Sequence, residues 1–138
     1  MRWLDTNIIL RYLTRDDPVK AAACFALFQR LRAGDEEVTT SEAVITEMVY
    51  VLASRAHYHL SHADIRSRLS PILRLPGLKL PGKRVYLRAL DLYDTYPALD
   101  FEDALTVARM HQDGVTELYS YDTDFDGIAG LVRVEPET

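Results

Sequence analysis

Four acidic side chains that lie far apart along the chain are the residues of this sequence best suited to chemistry: Asp5, Glu47, Asp103 and Asp122. Carboxylates gathered at one place would repel one another, by roughly 4 kcal/mol for a pair about 4 Å apart at an effective dielectric constant of about 20. A hard divalent cation offsets this repulsion, because Mg²⁺ and Mn²⁺ prefer oxygen ligands. The four acids therefore indicate a metal-dependent active site.

Two of the acids follow predicted strands, which explains how such a site is assembled. Asp5 ends the short apolar start of the chain, and Asp122 follows the strand-like run 116–121. In a parallel α/β sheet the carboxyl ends of the strands line one crevice, where ligands bind. Asp5 as a helix cap and Asp122 as a turn residue are the ordinary alternatives.

The other two acids lie on predicted helices. All residues three and four positions from Glu47 are uncharged, so Glu47 is expected on or beside the buried stripe of its helix. Asp103 follows Asp100 at the start of another helix, where an N-cap and a dipole partner are the ordinary alternatives. Glu47 lacks such an alternative, because a Glu on an apolar helix face is seldom buried unpaired.

Length and composition lead us to expect a single-domain cytoplasmic protein. With 138 residues we expect one domain, 1–138, that is large enough for a real core. The single cysteine, Cys24, argues against a disulfide scaffold and fits a reducing compartment. We find no signal-like segment and no apolar run long enough to cross a membrane, so we expect a soluble, cytoplasmic protein.

The net charge of −5 conceals a strongly basic segment, 55–88. The segment contains eight basic residues and one acid, Asp64, so its charge is +7 and that of the remainder is −12. A basic surface beside an acidic site is suited to a phosphate backbone, with a metal ion neutralising the acids. Solvated helix faces and the docking of an acidic protein explain the same charges. The basic residues are Arg55, Arg66, Arg68, Arg74, Lys79, Lys83, Arg84 and Arg88.

Strand-like and helical segments alternate along the chain, which is typical of an α/β protein with a parallel sheet and helices on both faces. We predict about five strands, the third at 78–80 and the fifth at 131–134. Helix starts are predicted at Asp17, at Ser61, at Asp100, and after a capping box formed by Thr39 and Glu42.

The run Asp122, Asp124, Asp126 and Gly127 matches the opening of a calcium-binding loop. The twelfth position of that loop, which supplies a bidentate glutamate in an EF-hand, is Arg133. Because no predicted helix enters the loop either, we set the calcium interpretation aside.

The chain resembles the PIN-domain ribonucleases, and among them the VapC-like toxins of bacterial toxin-antitoxin pairs. The resemblance covers essentially the whole chain, and the order and spacing of its marks are more specific than any one of them. The marks are the Asp-Thr-Asn run 5–7 after an opening strand, the segment 41–52 with Glu47, the Asp-Phe-Glu-Asp-Ala-Leu run 100–105, and the segment 120–125 with Asp122.

The resemblance implies a three-layer α/β/α domain with a parallel sheet of about five strands. It also implies a Mg²⁺- or Mn²⁺-dependent endoribonuclease that is often a homodimer and is inhibited by a small antitoxin protein. Asp5, Glu47, Asp103 and Asp122 match the catalytic and metal-binding acids of the family, with Asp5 and Asp103 as the expected direct ligands. The expected supporting residues are Thr6, Asn7, Ser120, Asp100 and Asp124.

Our hypothesis from the sequence is hydrolysis of an RNA phosphodiester by water activated at a metal site. A catalytically silent module that receives a basic partner peptide in an acidic crevice is the alternative from another class. A structure-specific DNA nuclease is the enzymatic alternative. Metal dependence separates the first alternative from a nuclease, and the substrate separates the second.

Overall fold

A computed structural model describes all 138 residues, which form six α-helices, four short β-strands and one 3₁₀ turn. The chain divides into two compact units, Met1–Lys83 and Arg84–Thr138, which we describe separately. In chain order the elements are β1 (Arg2–Trp3), α1 (Thr6–Thr14), α2 (Pro18–Ala33), β2 (Val38–Thr39), α3 (Glu42–Ala53), α4 (His62–Leu73), α5 (Lys83–Thr95), α6 (Phe101–Asp113), β3 (Glu117–Tyr119), the 3₁₀ turn (Thr123–Phe125) and β4 (Val132–Val134).

The strands confirm the predicted α/β class and the parallel pairing, but they are fewer than the five we predicted. β1 pairs with β2, and β3 pairs with β4, both in parallel. The predicted third strand at 78–80 is reduced to one parallel bridge between Val38 and Leu78. Leu78 is flanked by Gly77, whose N–H bonds to Leu31, and by the turn at Pro81, so little backbone is left to extend the pairing.

Most helices begin and end where the sequence predicts. The Asp17 carboxylate accepts a hydrogen bond from the Lys20 N–H, and Gly34 ends α2 in the left-handed conformation. Ser61 caps α4 in the same way. The predicted capping box was wrong. Thr39 stays in β2, and Ser41 caps α3 by accepting from the Val44 N–H.

The first unit has its core under the α1 and α2 pair. The Tyr12 ring stacks on Phe28 with 4.2 Å between centroids, and Phe28, Leu31 and Ile65 are almost completely buried. α1 also packs on α3, and α3 packs on α4. This arrangement fixes the start of α1, which follows Asp5, relative to α3, which carries Glu47.

The second unit is built on α5 and α6. Ala89, Leu90, Ala104 and Val107 are fully inaccessible to solvent, so both helices bury one complete face. The Tyr93 and Phe101 rings meet edge to face, with centroids 6.1 Å apart and planes at 82°. None of the helices in either unit combines the length and apolar composition that crossing a bilayer requires.

Candidate functional site

Asp5 stands at the N-cap position of α1, but its side chain makes no capping hydrogen bond. Leu4, the residue before Asp5, is anchored to the end of β2 through both its N–H and its carbonyl group. The Leu4 N–H donates to Thr39 O at 2.8 Å, and the buried Thr40 hydroxyl donates to Leu4 O at 2.9 Å. The Asp5 carboxylate is therefore held in place by its backbone and left exposed.

Thr6 and Glu47 form the most direct link between predicted site residues of the first unit. The buried Thr6 hydroxyl donates to Glu47 Oε2 at 2.9 Å, which ties the first residue of α1 to the middle of α3. Glu47 lies beside the buried stripe, next to Met48 and Val49, and is itself exposed. Asn7, the remaining predicted residue here, is exposed one position further along α1.

We expect Thr6→Val to lower the catalytic rate about 10-fold, by analogy with the loss of groups that orient ligands. Valine has the shape of threonine but cannot donate to Glu47. Since Glu47 is exposed and water replaces the lost donor, we expect the free energy of unfolding to fall by only about 1 kcal/mol.

Thr6→Ser is the matched control, because serine keeps the hydroxyl donor. Cleavage rates and denaturant unfolding of both variants check the prediction. Equal rates for Thr6→Val, Thr6→Ser and the unaltered protein would mean that the Thr6 hydrogen bond has no part in catalysis.

Asp103 has the most perturbed carboxyl group of the second unit. Partial burial, together with the nearby charges of Asp100, Asp122 and Asp124, raises the pKa of Asp103 to about 6. The Asp100 carboxylate also accepts from the Asp103 N–H at 2.8 Å, so the predicted N-cap is confirmed. The other three predicted acids of this unit thus lie close enough to Asp103 to disfavour its ionisation.

Asp122 and Asp124 lie in the loop between β3 and β4. The Asp122 N–H donates to the Ser120 hydroxyl at 3.0 Å, and Asp122 Oδ1 accepts from the Asp124 N–H at 2.8 Å. Asp122 therefore caps the 3₁₀ turn, in agreement with its ordinary interpretation as a turn residue. Its other carboxylate oxygen takes no part in that cap.

The basic segment 55–88 is exposed at seven of its eight basic residues. Lys83 is the exception, because its ammonium donates to the carbonyls of Leu75 at 3.3 Å and Leu78 at 2.6 Å. Burial also lowers the pKa of Lys83. Lys83 thus has a structural role in the turn before α5. The other seven side chains are exposed to solvent, and that of Arg88 also contacts His111 Nδ1 at 3.3 Å.

The donors present fit a hard cation, although neither unit contains three or more His, Cys, Asp or Glu side chains arranged as a complete metal site. The candidate ligands are all carboxylates, and partial burial together with repulsion from Asp100, Asp122 and Asp124 raises the pKa of Asp103 to about 6. A divalent cation would relieve this repulsion, and oxygen donors are the ligands that Mg²⁺ and Mn²⁺ prefer.

Our sequence analysis missed one residue of this region, Arg133 on β4. We considered it only as the wrong residue for a calcium loop. In the structure its guanidinium bonds to Asp126, Glu135 and the backbone of Ser120. An arginine between two valines of a short strand is the signal that could have indicated a partly buried cation.

Comparison with known proteins gives the family. A sequence model of the PIN domain matches residues 3–131, which is nearly the whole chain. No curated protein sequence matches it significantly. The matched range contains every candidate site residue predicted from the sequence, from Asp5 to Asp124. The chain therefore belongs to the PIN-domain family, whose α/β fold is of the nuclease type and whose members are generally metal-dependent hydrolases.

Proposed function

We propose that this protein is a metal-dependent endoribonuclease that hydrolyses RNA phosphodiester bonds, and that it is the toxin of a toxin-antitoxin pair. The observation that supports this best is the crowding of carboxylates around Asp103 in a chain of the PIN-domain family. Such crowding costs stability and has a purpose where a cation and a phosphate are to be bound. The VapC-like resemblance of the sequence supports the toxin role.

In the proposed mechanism Asp5 and Asp103 would hold a Mg²⁺ or Mn²⁺ ion, and Glu47 and Asp122 would complete the acidic set. When bound, the ion supplies Lewis acidity and neutralises charge at the scissile phosphate. Thr6 orients the Glu47 carboxylate through its 2.9 Å hydrogen bond. The Ser120 hydroxyl holds the backbone N–H of Asp122, and the Asp124 N–H holds the Asp122 carboxylate. Asp100 caps α6, the helix that carries Asp103.

The exposed basic residues of segment 55–88 are the proposed contacts for the RNA backbone, since phosphate contacts in such complexes come mainly from Arg and Lys. We further propose a cognate antitoxin protein and a homodimer as partners, on the basis of the VapC-like resemblance. One buried cysteine, Cys24, is consistent with action in the cytoplasm.

The test is cleavage of a mixed RNA pool by the purified, antitoxin-free protein in Mg²⁺, Mn²⁺ or EDTA. We expect cleavage with either cation, none in EDTA, and a loss of at least about 100-fold in Asp5→Asn, because this change removes a charged ligand. Asp35→Asn is the matched control, since Asp35 is an exposed acid in the turn after α2.

Each alternative function predicts a different result in the same assay. A binding module would show no cleavage under any condition while keeping its partner binding in EDTA. A DNA nuclease would cleave a structured DNA pool and spare RNA. Either result, obtained with protein shown to be folded, would contradict the proposed ribonuclease.

A further inference from the structure

The Arg133 side chain forms hydrogen bonds with three residues, Ser120, Asp126 and Glu135. Its Nε donates to Asp126 Oδ1 at 2.8 Å, and Nη2 lies 3.5 Å from Asp126 Oδ2. Nη1 donates to Ser120 O at 3.1 Å and to Glu135 Oε1 at 3.2 Å. One guanidinium group therefore joins β4 to both ends of the segment 120–126.

That segment is the loop that carries Asp122 and Asp124. Three of its backbone N–H groups donate to atoms of the same segment. The Asp122 N–H donates to Ser120 Oγ, the Asp124 N–H to Asp122 Oδ1, and the Asp126 N–H to Thr123 O. Only the Phe125 side chain is buried among these residues. The loop thus has a small apolar anchor and depends on polar contacts for its shape.

The environment of Arg133 distinguishes it from an ordinary surface ion pair. Its side chain is 17% exposed, whereas Arg11 and Arg30, which pair with Asp16 and Glu36, are 33% and 50% exposed. Hydrogen bonds to Asp126 and Glu135 raise the pKa of Arg133. Exposed pairs contribute little to stability, while a guanidinium fork on a carboxylate restricts geometry as well as adding energy.

We propose that Arg133 is a positioning residue, which clamps the loop 120–126 so that the Asp122 carboxylate is held for its part in catalysis. The inference rests on the proposed nuclease function, but the clamp itself is a statement about the loop alone. Arg133 acts through Ser120 and Asp126, the two residues that bound the loop, and no contact with substrate is assigned to it.

An effect of charge and an effect of loop geometry predict opposite changes in cation affinity when Arg133 is replaced. The proposal is therefore testable. Removing a positive charge near acidic ligands strengthens the attraction of a cation if charge alone matters. Releasing the loop weakens cation binding if Arg133 acts by positioning Asp122. Arg133→Lys separates the two effects, because lysine keeps the charge but lacks the fork that bonds to Ser120 and Asp126 together.

The first measurement is amide hydrogen exchange, by NMR, of the unaltered protein, Arg133→Gln, Arg133→Lys and the control Arg30→Gln without added metal. We expect the Asp122, Asp124 and Asp126 amides to exchange at least about 10-fold faster in both Arg133 variants, since their protection reports local opening. Amides of α6 should be unchanged, which distinguishes release of the loop from global destabilisation. Unchanged exchange in the loop overturns the proposal.

The second measurement is Mn²⁺ binding to the same four proteins by isothermal titration calorimetry. We expect the dissociation constant to rise about 10-fold in both Arg133→Gln and Arg133→Lys, and to stay the same in Arg30→Gln. Tighter binding in Arg133→Gln together with unchanged binding in Arg133→Lys would show an effect of charge only and would overturn the positioning role.

The two measurements also separate this inference from the proposed function. If the unaltered protein binds no Mn²⁺ and cleaves no RNA, the nuclease function fails, and the catalytic meaning of the clamp fails with it. If the unaltered protein binds Mn²⁺ and cleaves RNA while both Arg133 variants do the same equally well, only the positioning role of Arg133 is overturned.

Discussion

Replacing Asp103 with Asn is expected to stabilise the metal-free protein at neutral pH and, at the same time, to remove at least about 99% of its RNA cleavage, as loss of a charged ligand does. The two effects have one physical cause. Partial burial and the charges of Asp100, Asp122 and Asp124 raise the pKa of Asp103 to about 6. At neutral pH its ionised form therefore destabilises the folded protein. Asparagine keeps the shape of the side chain and removes the charge.

The sign of the pH dependence follows from the direction of this shift. Between the ordinary aspartate pKa of 3.8 and about 6, folded Asp103 binds a proton that the unfolded chain has lost. The contribution of Asp103 to the free energy of unfolding therefore falls as pH rises through that range. Solvent screening of this partly exposed group and the lost attraction to the helix dipole reduce the expected gain of Asp103→Asn at pH 7 to about 1 kcal/mol.

Denaturant unfolding in EDTA at pH 4 and pH 7 checks the stability effect, and RNA cleavage in Mg²⁺ checks the activity. The control is Glu102→Gln, which changes the exposed acid next to Asp103 in the same turn of α6. Added Mg²⁺ should raise the melting temperature of the unaltered protein more than that of Asp103→Asn, because binding stabilises the folded state. A gain in stability equal at both pH values would contradict the assignment.

Gly77→Ala is expected to destabilise the first unit by about 3 kcal/mol or more, at the upper end of what overpacking costs. A Cβ at this position would lie 2.3 Å from Glu36 O and 2.8 Å from both Leu31 Cα and Leu31 O, all backbone atoms that cannot move aside. Gly77 also donates its N–H to Leu31 O at 2.8 Å and accepts from the Val38 N–H at 2.8 Å. It therefore joins the end of α2 to β2.

The matched control is Gly34→Ala, at a glycine with φ +79° and no atom within 4 Å of an added Cβ. There only the left-handed backbone opposes a side chain, at roughly 1–2 kcal/mol. Chemical denaturation of both variants checks the difference. Since β2 anchors the backbone before Asp5, Gly77→Ala should also reduce cleavage more than Gly34→Ala does. Equal stability of the two variants would contradict the close approach at Gly77.

Local signals in the sequence were sufficient for most helix boundaries, and they select candidate acids whose roles stay a prediction. Asp17, Ser61 and Asp100 cap helices as predicted, because capping depends on one side chain and on a backbone N–H three residues later. The alternation of strand-like and helical segments predicted the α/β class, and the resemblance of the motifs to PIN-domain ribonucleases predicted the family, which the family match confirms. The same local chemistry was ambiguous at Thr39, where Ser41 competes for the same helix start and wins.

Only the tertiary structure decided which polar groups meet across long stretches of chain. The bond from Thr6 to Glu47 spans 41 positions, and the contact of Arg133 with Ser120 spans 13. The tertiary structure also decided the length of the strands. Because Gly77 approaches α2 closely, the predicted third strand is left with a single parallel bridge between Leu78 and Val38. The sequence determined which side chains are available for chemistry, because periodicity and capping are properties of neighbouring residues. Their partners and the pKa of Asp103 depend on packing between distant segments, which no local pattern encodes.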